Sequence, residues 1–283
     1  MSWLEAIVLG IVQGLTEFLP ISSTGHLRII PAFAGWSDPG AAFTAIIQLG
    51  TTLAVLIYFR RDLWRVASAW LRSLRAPAGS PLRSSVDARM GWYLILATIP
   101  IVIFGFAFKD QIENGARDLY LIGTVLIVFA VVMWVADRLA SLDRDERSIG
   151  RGDAVAIGLA QALALVPGVS RSGATISAGL LRGFDRETAA RFSFLLSLPA
   201  IVLAALFEMR GVVGGSDSLA TKAGESISAG EVVVSCVFAF FVGYASIAFL
   251  LRFLTRHGLS VFVVYRLVLG VAVLALTASG AIS

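Results

Sequence analysis

The fold is decided by a short polar stretch near the N-terminus, Thr16-Glu17-Phe18-Leu19-Pro20-Ile21-Ser22-Ser23-Thr24-Gly25-His26, which interrupts an otherwise apolar sequence. The apolar run before this stretch, residues 4–19, carries polar side chains and stops at Pro20, and the run after it, 27–33, is shorter still. Neither run suits a spanning helix, which needs about 20 mostly apolar residues. A short helix, a polar break and a second short helix describe a re-entrant hairpin, whose broken backbone must be buried in protein or line a wet cavity.

A second polar break follows the same plan and reads Pro167-Gly168-Val169-Ser170-Arg171-Ser172-Gly173-Ala174-Thr175. The apolar run before it, 154–166, has only 13 residues, and another short apolar run, 176–181, comes after it. The two regions share side chains at a fixed spacing, which indicates an internal repeat with halves of about 1–150 and 151–283. At an offset of 148 residues, Gly10, Gln13, Ser22 and Gly25 align with Gly158, Gln161, Ser170 and Gly173, and at an offset of 149 Phe43 and Thr44 align with Phe192 and Ser193.

Composition places the chain in a membrane. Hydrophobic residues make up 57% of it and charged residues 15%, and the mean hydropathy is +0.84. A water-soluble domain has no use for so much apolar surface, so a soluble, disordered, disulfide-stapled or nucleic-acid-binding protein is excluded. Six stretches are long enough to span a bilayer: 41–59, 91–108, 119–136, 192–209, 232–251 and 259–278. We therefore predict an all-α polytopic membrane protein with six transmembrane helices and two re-entrant helical hairpins arranged as an inverted-topology repeat.

The arginines and lysines predict the orientation of the chain. With the arginine-rich loop 60–89 in the cytoplasm, sixteen of the 23 basic residues lie on that side. Five lie outside, namely Arg28, Lys109, Arg117, Arg210 and Lys222, and Arg171 and Arg266 lie at membrane depth. This asymmetry agrees with the positive-inside rule. Both termini are then outside, the first hairpin enters from the outer side and the second from the cytoplasmic side, so the two breaks can meet inside the bilayer.

The first break combines an acid, four hydroxyls and an imidazole within an apolar chain. Gln13 and Glu17 are four residues apart and share one face of the first short helix, and Gly10 and Gly14 form a small-xxx-small pair suited to close packing of this helix on a neighbour. An ionisable residue at such depth is costly and is usually functional, so Glu17 is a candidate site residue. His26 follows Ser23 by three residues, which allows a Ser-His pair if the intervening turn is helical.

The second break places Arg171 between two hydroxyls, Ser170 and Ser172, at the start of a short helix. Guanidinium and hydroxyl donors together with the unpaired first amides of a helix favour the binding of phosphate. The alternative is that Arg171 forms a structural ion pair with Glu17, and both interpretations can hold in the absence of substrate. Two further polar groups lie within spans, Gln48 and Arg266, and each either supports the site or makes an interhelical hydrogen bond.

The two breaks closely resemble the two signature motifs of the undecaprenyl-diphosphate phosphatase family, also called the bacitracin-resistance family. The resemblance extends through Gln48 and the pair Tyr265-Arg266 and covers essentially the whole chain. It implies a metal-dependent phosphatase of the bacterial inner membrane that converts undecaprenyl diphosphate to undecaprenyl phosphate and inorganic phosphate, and so recycles the lipid carrier of peptidoglycan synthesis. The expected partners are the polyprenyl diphosphate, membrane lipids and, as an open question, a second copy in a homodimer. The active site is expected to open toward the periplasm.

The resemblance also implies roles for individual residues. By motif position Glu17 is similar to the family's essential acid, Ser22, Ser23 and His26 to its nucleophile and base cluster, and Ser170, Arg171, Ser172 and Thr175 to its phosphate-binding set. Many members carry Glu where this chain has Gln13, so a metal site with two carboxylates does not follow. Mg²⁺ or Ca²⁺ on oxygen ligands is the expected cofactor, with Glu17 as its ligand.

Our preferred mechanism has Ser23 attacking the outer phosphorus and His26 taking its proton. Glu17 either holds the metal or orients His26, and Arg171 with its neighbouring hydroxyls binds the phosphates. Ser22 and His26 remain open as alternative nucleophiles.

Two other functions deserve comparison with hydrolysis. A secondary transporter or lipid flippase is an alternative because inverted repeats with breaks at the bilayer midplane are typical of transporters. Ser-His chemistry beside a phosphate site favours the enzyme. An intramembrane serine protease needs no phosphate site, and the second break does not read Gly-x-Ser-x-Gly.

Overall fold

The computed structural model describes residues 1–108, 118–213, 224 and 226–282. Within these residues the regular secondary structure is helical, with one isolated bridge between Arg144 and Phe184. In chain order the helices are α1 (Trp3–Phe18), α2 (Ser23–Ala34), α3 (Gly40–Tyr58), α4 (Arg60–Arg75), α5 (Pro81–Ser84), α6 (Val86–Ala107), α7 (Leu119–Leu139), α8 (Arg151–Ala162), α9 (Arg171–Leu181), α10 (Arg186–Val213), α11 (Ala229–Leu254) and α12 (Ser260–Ala278).

Several of these helices are suited to cross a bilayer. Within the described residues, α6, α7, α11 and α12 are long and apolar enough, and α3 with α4 makes a fifth candidate whose two parts are bent by 76°. The protein is therefore an all-helical, multi-pass membrane protein. Each of the six predicted stretches falls on a helix to within a residue. The number of spans and the re-entrant passage of the two hairpins stay predictions, and Lys109, Arg117 and Lys222 of the orientation count lie outside the described residues.

The arginine-rich segment predicted as a loop is largely helical. Helix α4 carries its arginines beside exposed apolar side chains, including Trp64, which is 76% exposed, and Leu71. One buried side of α4 packs on α6, where the rings of Trp70 and Trp92 meet edge to face at 5.6 Å. An amphipathic helix with a basic face and aromatic residues is suited to lie in the membrane interface. The sequence did not predict this helix because its many arginines make it too polar for a transmembrane span.

The two polar breaks have the same local geometry. Ser22 and Ser170 cap α2 and α9, and both have positive φ, 77° and 73°. Their hydroxyls accept from the amides of Gly25, at 3.4 Å, and Gly173, at 3.2 Å. A positive φ costs an ordinary residue about 1–2 kcal/mol, so the surrounding structure must hold it. Ser22 with Ser170 and Gly25 with Gly173 are two of the pairs that align at the 148-residue offset.

Glycines let the short helices approach long neighbours closely. At Gly14 of α1 a Cβ atom would lie 2.8 Å from the amide nitrogen of Gly243 in α11, which confirms the predicted close packing of this helix face. At Gly158 of α8 it would lie 2.5 Å from the carbonyl oxygen of Ala97 in α6. Each short helix before a break therefore packs against a long helix from the other part of the sequence.

Candidate active site

Glu17 is the centre of the polar site. It lies in the last turn of α1, where it is 7% exposed, and the edge-to-face packing of Phe18 on Phe194 of α10, at 5.5 Å, holds this end of the helix. Its Oε1 accepts from the Arg171 guanidinium, so the predicted ion pair is formed. Its Oε2 accepts from two further side chains on α1 and α2, Gln13 at 3.0 Å and Ser23 at 2.8 Å.

Ser23 pairs with Glu17 rather than with His26. Ser23 is the first residue of α2, and the unusual backbone of Ser22 turns the Ser23 hydroxyl toward α1. Within the described residues no hydrogen bond joins Ser23 to His26, so the predicted Ser-His pair is not formed. Three-residue spacing brings two side chains to neighbouring positions on a helix, but it does not say which of them faces the site.

His26 connects the first break to α12. Its Nδ1 lies 2.7 Å from the Ser22 carbonyl oxygen, and because a carbonyl only accepts, this nitrogen donates. In the neutral ring Nε2 then accepts from the Tyr265 hydroxyl at 2.6 Å, and the two rings are stacked within 9°. Both ring nitrogens of His26 are thus engaged by Ser22 and Tyr265, and within the described residues neither is hydrogen-bonded to Ser23.

Ser22 and Ser23 differ in how free their hydroxyls are. Ser22 is 1% exposed and its Oγ accepts from the amide of Gly25 as the cap of α2. Ser23 is only partly buried, and its Oγ donates to a carboxylate. A serine nucleophile needs a nearby base and access to the substrate. Of the two serines, Ser23 meets both requirements.

Of the three predicted hydroxyls of the second break, Ser172 contacts the first break directly and Ser170 lies beside it. Ser170 and Ser172 are buried with their Oγ atoms 3.2 Å apart, and Ser172 donates to the carbonyl oxygen of Leu19 at 3.2 Å. Thr175 instead bonds Ser193 of α10 at 2.6 Å and the backbone of its own helix. Of the residues predicted to bind phosphate, Arg171, Ser170 and Ser172 thus lie together near the first break, and the Thr175 hydroxyl faces α10.

Arg266 joins the two breaks. This side chain of α12 is fully buried, at 0% exposure. It donates to the Gly168 carbonyl at 2.7 Å and, at 3.3–3.4 Å, to carbonyls of Val169, Pro20 and Leu126. Carbonyl groups left free by a broken helix need such donors because water does not reach them. Arg266 is therefore a structural support for both loops, which was one of its two predicted roles.

The side chains near Glu17 suit a hard cation only in part. The Oε1 atom of Gln13 is buried and has no hydrogen-bond partner within the described residues, while its Nε2 donates to Glu17 and to Thr51. No group of three His, Cys, Asp or Glu side chains that could hold a metal ion occurs in the described ranges. One carboxylate and one amide oxygen fit Mg²⁺ or Ca²⁺ if phosphate oxygens and water complete the coordination.

Some residues stand apart from the predicted site, and others were missed. The Gln48 side chain makes no hydrogen bond within the described part of the chain, and only its carbonyl is used, by Thr51 and Thr52. Two residues that the sequence does not predict also contact the site: Thr51 accepts a hydrogen bond from Gln13, and Ser193 is hydrogen-bonded to Thr175. The repeat gives a signal for Ser193, because a hydroxyl residue, Thr44, occupies the equivalent position in the first half. No signal pointed to Thr51.

Comparison with known proteins identifies the family of this chain. The family model described as "Bacitracin resistance protein BacA" matches residues 6–272. A protein of Nocardioides sp. named "Undecaprenyl-diphosphatase" is 51% identical over 283 residues, covering 100% of this chain and 99% of the relative. "Undecaprenyl-diphosphatase 2" of Streptomyces avermitilis is 48% identical over 295 residues, with coverage of 100% and 97%, and "Undecaprenyl-diphosphatase" of Thermobifida fusca is 48% identical over 283 residues, with 100% and 93%. The chain belongs to the BacA family of bacitracin resistance proteins.

Proposed function

We propose that this protein hydrolyses undecaprenyl diphosphate to undecaprenyl phosphate and inorganic phosphate. The observation that carries the proposal is the junction of the two breaks, where one carboxylate, Glu17, accepts from both Ser23 and Arg171. A nucleophile, its base and an anion-binding guanidinium are the parts that phosphoryl transfer needs. Relatives at about half identity that are named for hydrolysis of this diphosphate support it.

The proposed architecture has six spans and two re-entrant hairpins, with the halves inverted. Reciprocal packing supports it, because α1 packs on α11 while its counterpart α8 packs on α6. Helices α3 and α11 likewise pack together, as do their counterparts α10 and α6, and α7 packs on α12. When two related halves pack against each other as an inverted repeat, each contact between them is expected to occur twice, once in each direction. In this arrangement the site opens to the periplasmic side of the bacterial inner membrane.

Substrate binding begins with competition for Arg171. Without an anion the guanidinium neutralises Glu17 in a buried place, where an unpaired charge is costly. A diphosphate carries two to three negative charges and offers more acceptor atoms than one carboxylate. The planar guanidinium can bind two of its oxygens at once, and Ser170 and Ser172 can donate to others. Arg171 thus moves from Glu17 to the phosphates.

The release of Arg171 frees the Glu17 carboxylate to act as the base for Ser23. The Ser23 hydroxyl already donates to Glu17 at 2.8 Å, so the carboxylate takes this proton as the Ser23 Oγ attacks the terminal phosphorus. The bond from that phosphorus to the bridging oxygen breaks, undecaprenyl phosphate leaves, and Ser23 carries the phosphoryl group.

Water completes the cycle. Glu17 gives its proton to the departing lipid phosphate or to solvent and then accepts one from a water molecule whose oxygen attacks the phosphorus carried by Ser23. The bond from that phosphorus to the Ser23 Oγ breaks, Glu17 returns the proton to this Oγ, and inorganic phosphate leaves. Arg171 and the helix amides of the second break stabilise the negative oxygens in both steps.

The divalent cation remains part of the proposal. Glu17 and the amide oxygen of Gln13 would hold Mg²⁺ or Ca²⁺ together with phosphate oxygens. When bound, such an ion neutralises charge on the diphosphate and polarises its oxygens. Homodimer formation is a separate prediction on which the site does not depend.

Transport of the lipid is the less favoured alternative. The hydroxyl of Ser23 beside a carboxylate has no evident use in a transporter, and the relatives reported above are named for hydrolysis. A flippase would conserve the diphosphate, whereas the proposed enzyme consumes it. The fate of the terminal phosphate therefore separates the two functions.

The test is release of inorganic phosphate from undecaprenyl diphosphate by purified protein in detergent. Glu17→Gln keeps the shape of the side chain and removes the base, and we expect its rate to fall by at least a hundredfold. Glu187→Gln, at a half-exposed carboxylate on α10, is the matched control and should retain the wild-type rate. Wild-type protein that binds the lipid without releasing phosphate would contradict the proposed function.

A further inference from the structure

A cavity of about 530 Å³ lies away from the two breaks, where α5, α6 and the start of α8 meet. Three arginines line it, Arg83, Arg89 and Arg151. Within the described residues no carboxylate lies within ion-pair distance of any of them, whereas the neighbouring Arg65 is paired with Asp62 and Asp87. Three like charges around one cavity repel each other unless an anion is present.

Arg89 has a buried donor that no group in the described part of the chain satisfies. This side chain is half-buried, and its Nη2 donates to the carbonyl oxygen of Arg147 at 3.1 Å. Its Nε atom is buried with no hydrogen-bond partner in the described part of the chain. A buried donor without a partner is costly, and an acceptor in the cavity would relieve that cost.

The wall of the cavity changes from charged to apolar along one helix. Arg89, Tyr93 and Leu96 lie at helical spacing on one face of α6, and all three line the cavity. Trp92, which is 48% exposed, stands beside them and packs on Trp70 of α4. Tryptophan is enriched at the level of lipid head groups, and α4 has the features of an interfacial helix. A ligand that is anionic at one end and apolar at the other would match this wall.

We propose that the Arg83–Arg89–Arg151 cavity is a binding site for the phosphodiester head group of an anionic phospholipid. The arginines bind the phosphate oxygens, and the acyl chains lie along Tyr93, Leu96 and the lipid-facing side of α6. The volume is within the range of ordinary ligand sites, about 300–1,000 Å³. Basic pockets between membrane helices bind such head groups in other proteins. None of the lining residues belongs to the proposed hydrolytic site.

The experiment measures the thermal stabilisation of the purified full chain in detergent as phosphatidylglycerol is added, with phosphatidylcholine and inorganic phosphate in parallel. The variant is Arg83→Gln with Arg151→Gln, because both side chains are exposed and neither makes a hydrogen bond in the described ranges. The matched control removes the same charge from α4 by Arg61→Gln with Arg75→Gln, also exposed.

An arginine that contacts an anionic head group contributes about fivefold to its binding, so the double cavity variant should bind phosphatidylglycerol about 25-fold more weakly. The control, whose arginines lie outside the cavity, should lose no more than a few fold, and phosphatidylcholine should stabilise neither protein. Inorganic phosphate can bind the proposed hydrolytic site, so any stabilisation by it should be the same in the wild type and the cavity variant. Equal weakening in variant and control would refute the site, as would an unchanged affinity in the variant. Stabilisation by inorganic phosphate that equals that by phosphatidylglycerol and is lost in the cavity variant would refute the lipid. If the double variant does not fold, Arg83→Gln alone, with an expected fivefold effect, carries the same test.

Discussion

Replacing Arg266 by Met removes the guanidinium that holds the two polar breaks together. Met is unbranched and replaces the aliphatic part of the arginine side chain, but it ends short of the guanidinium and has no donor for the four carbonyl oxygens that Arg266 contacts. Hydrogen bonds from a charged group contribute about 1.5–3 kcal/mol each, and less when they are long. Only the bond to Gly168, at 2.7 Å, is short.

The apolar replacement has an opposing effect, because it also removes the cost of burying a charge. We therefore expect a net loss of about 3 kcal/mol in the free energy of unfolding, less than four full charged hydrogen bonds would give. At roughly 2–4 °C per kcal/mol this lowers Tm by about 6–12 °C. Misplacement of the loops that carry Ser23 and Arg171 should also lower kcat by about a hundredfold.

The assay is thermal unfolding of purified protein in detergent, together with phosphate release. Arg252→Met is the control, because Arg252 is an exposed arginine near the end of α11. It should change Tm by no more than a degree or two. A Tm for Arg266→Met equal to that of the wild type would refute the view that this side chain holds the breaks together.

Three further predictions concern the phosphate site, the metal and the topology. Arg171→Lys keeps the charge but loses the planar fork, so the protein should fold while phosphate release falls at least tenfold, and a near-normal rate and KM would leave Arg171 with only its structural ion pair. Gln13→Glu adds a second carboxylate beside Glu17 and should lower the Mg²⁺ or Ca²⁺ concentration needed for half-maximal rate, whereas an unchanged metal dependence would exclude Gln13 from the cation site. Arg75→Cys should react with a membrane-impermeant thiol reagent only after the cells are opened, and labelling in intact cells would overturn the proposed orientation.

The sequence predicted the site best where a charged or polar residue lies in an apolar part of the chain. Glu17 and Arg171 were identifiable because an ionisable group in an apolar chain needs a function or a partner. The repeat predicted that Ser22 and Ser170 would occupy equivalent positions, and the structure gives both the same positive φ. The close approach of Gly14 to α11 followed equally from its small-residue spacing.

The sequence did not predict which hydrogen-bond partners the site side chains have. The direction of the Ser23 hydroxyl depends on the backbone of Ser22, whose positive φ no local pattern reveals. Thr175 turns to Ser193 because α10 packs beside α9, a contact set by the tertiary structure. The arginine-rich segment at α4 is predicted as a loop because its high charge excludes a transmembrane span, whereas a helix lying in the membrane interface accommodates those charges.

Phosphate release from undecaprenyl diphosphate by three alanine variants of the first break shows which hydroxyl attacks the phosphorus. In the proposed mechanism the Ser23 Oγ attacks, whereas Ser22 caps α2 and Thr24 is exposed with one long hydrogen bond to Ser22. Ser23→Ala should lower kcat by at least a thousandfold with KM and Tm little changed. Ser22→Ala should lower Tm as well as the rate, and Thr24→Ala should stay within a few fold of the wild type. A Ser23→Ala protein that still releases phosphate at a rate near that of Thr24→Ala would contradict the attack of Ser23 on the phosphorus.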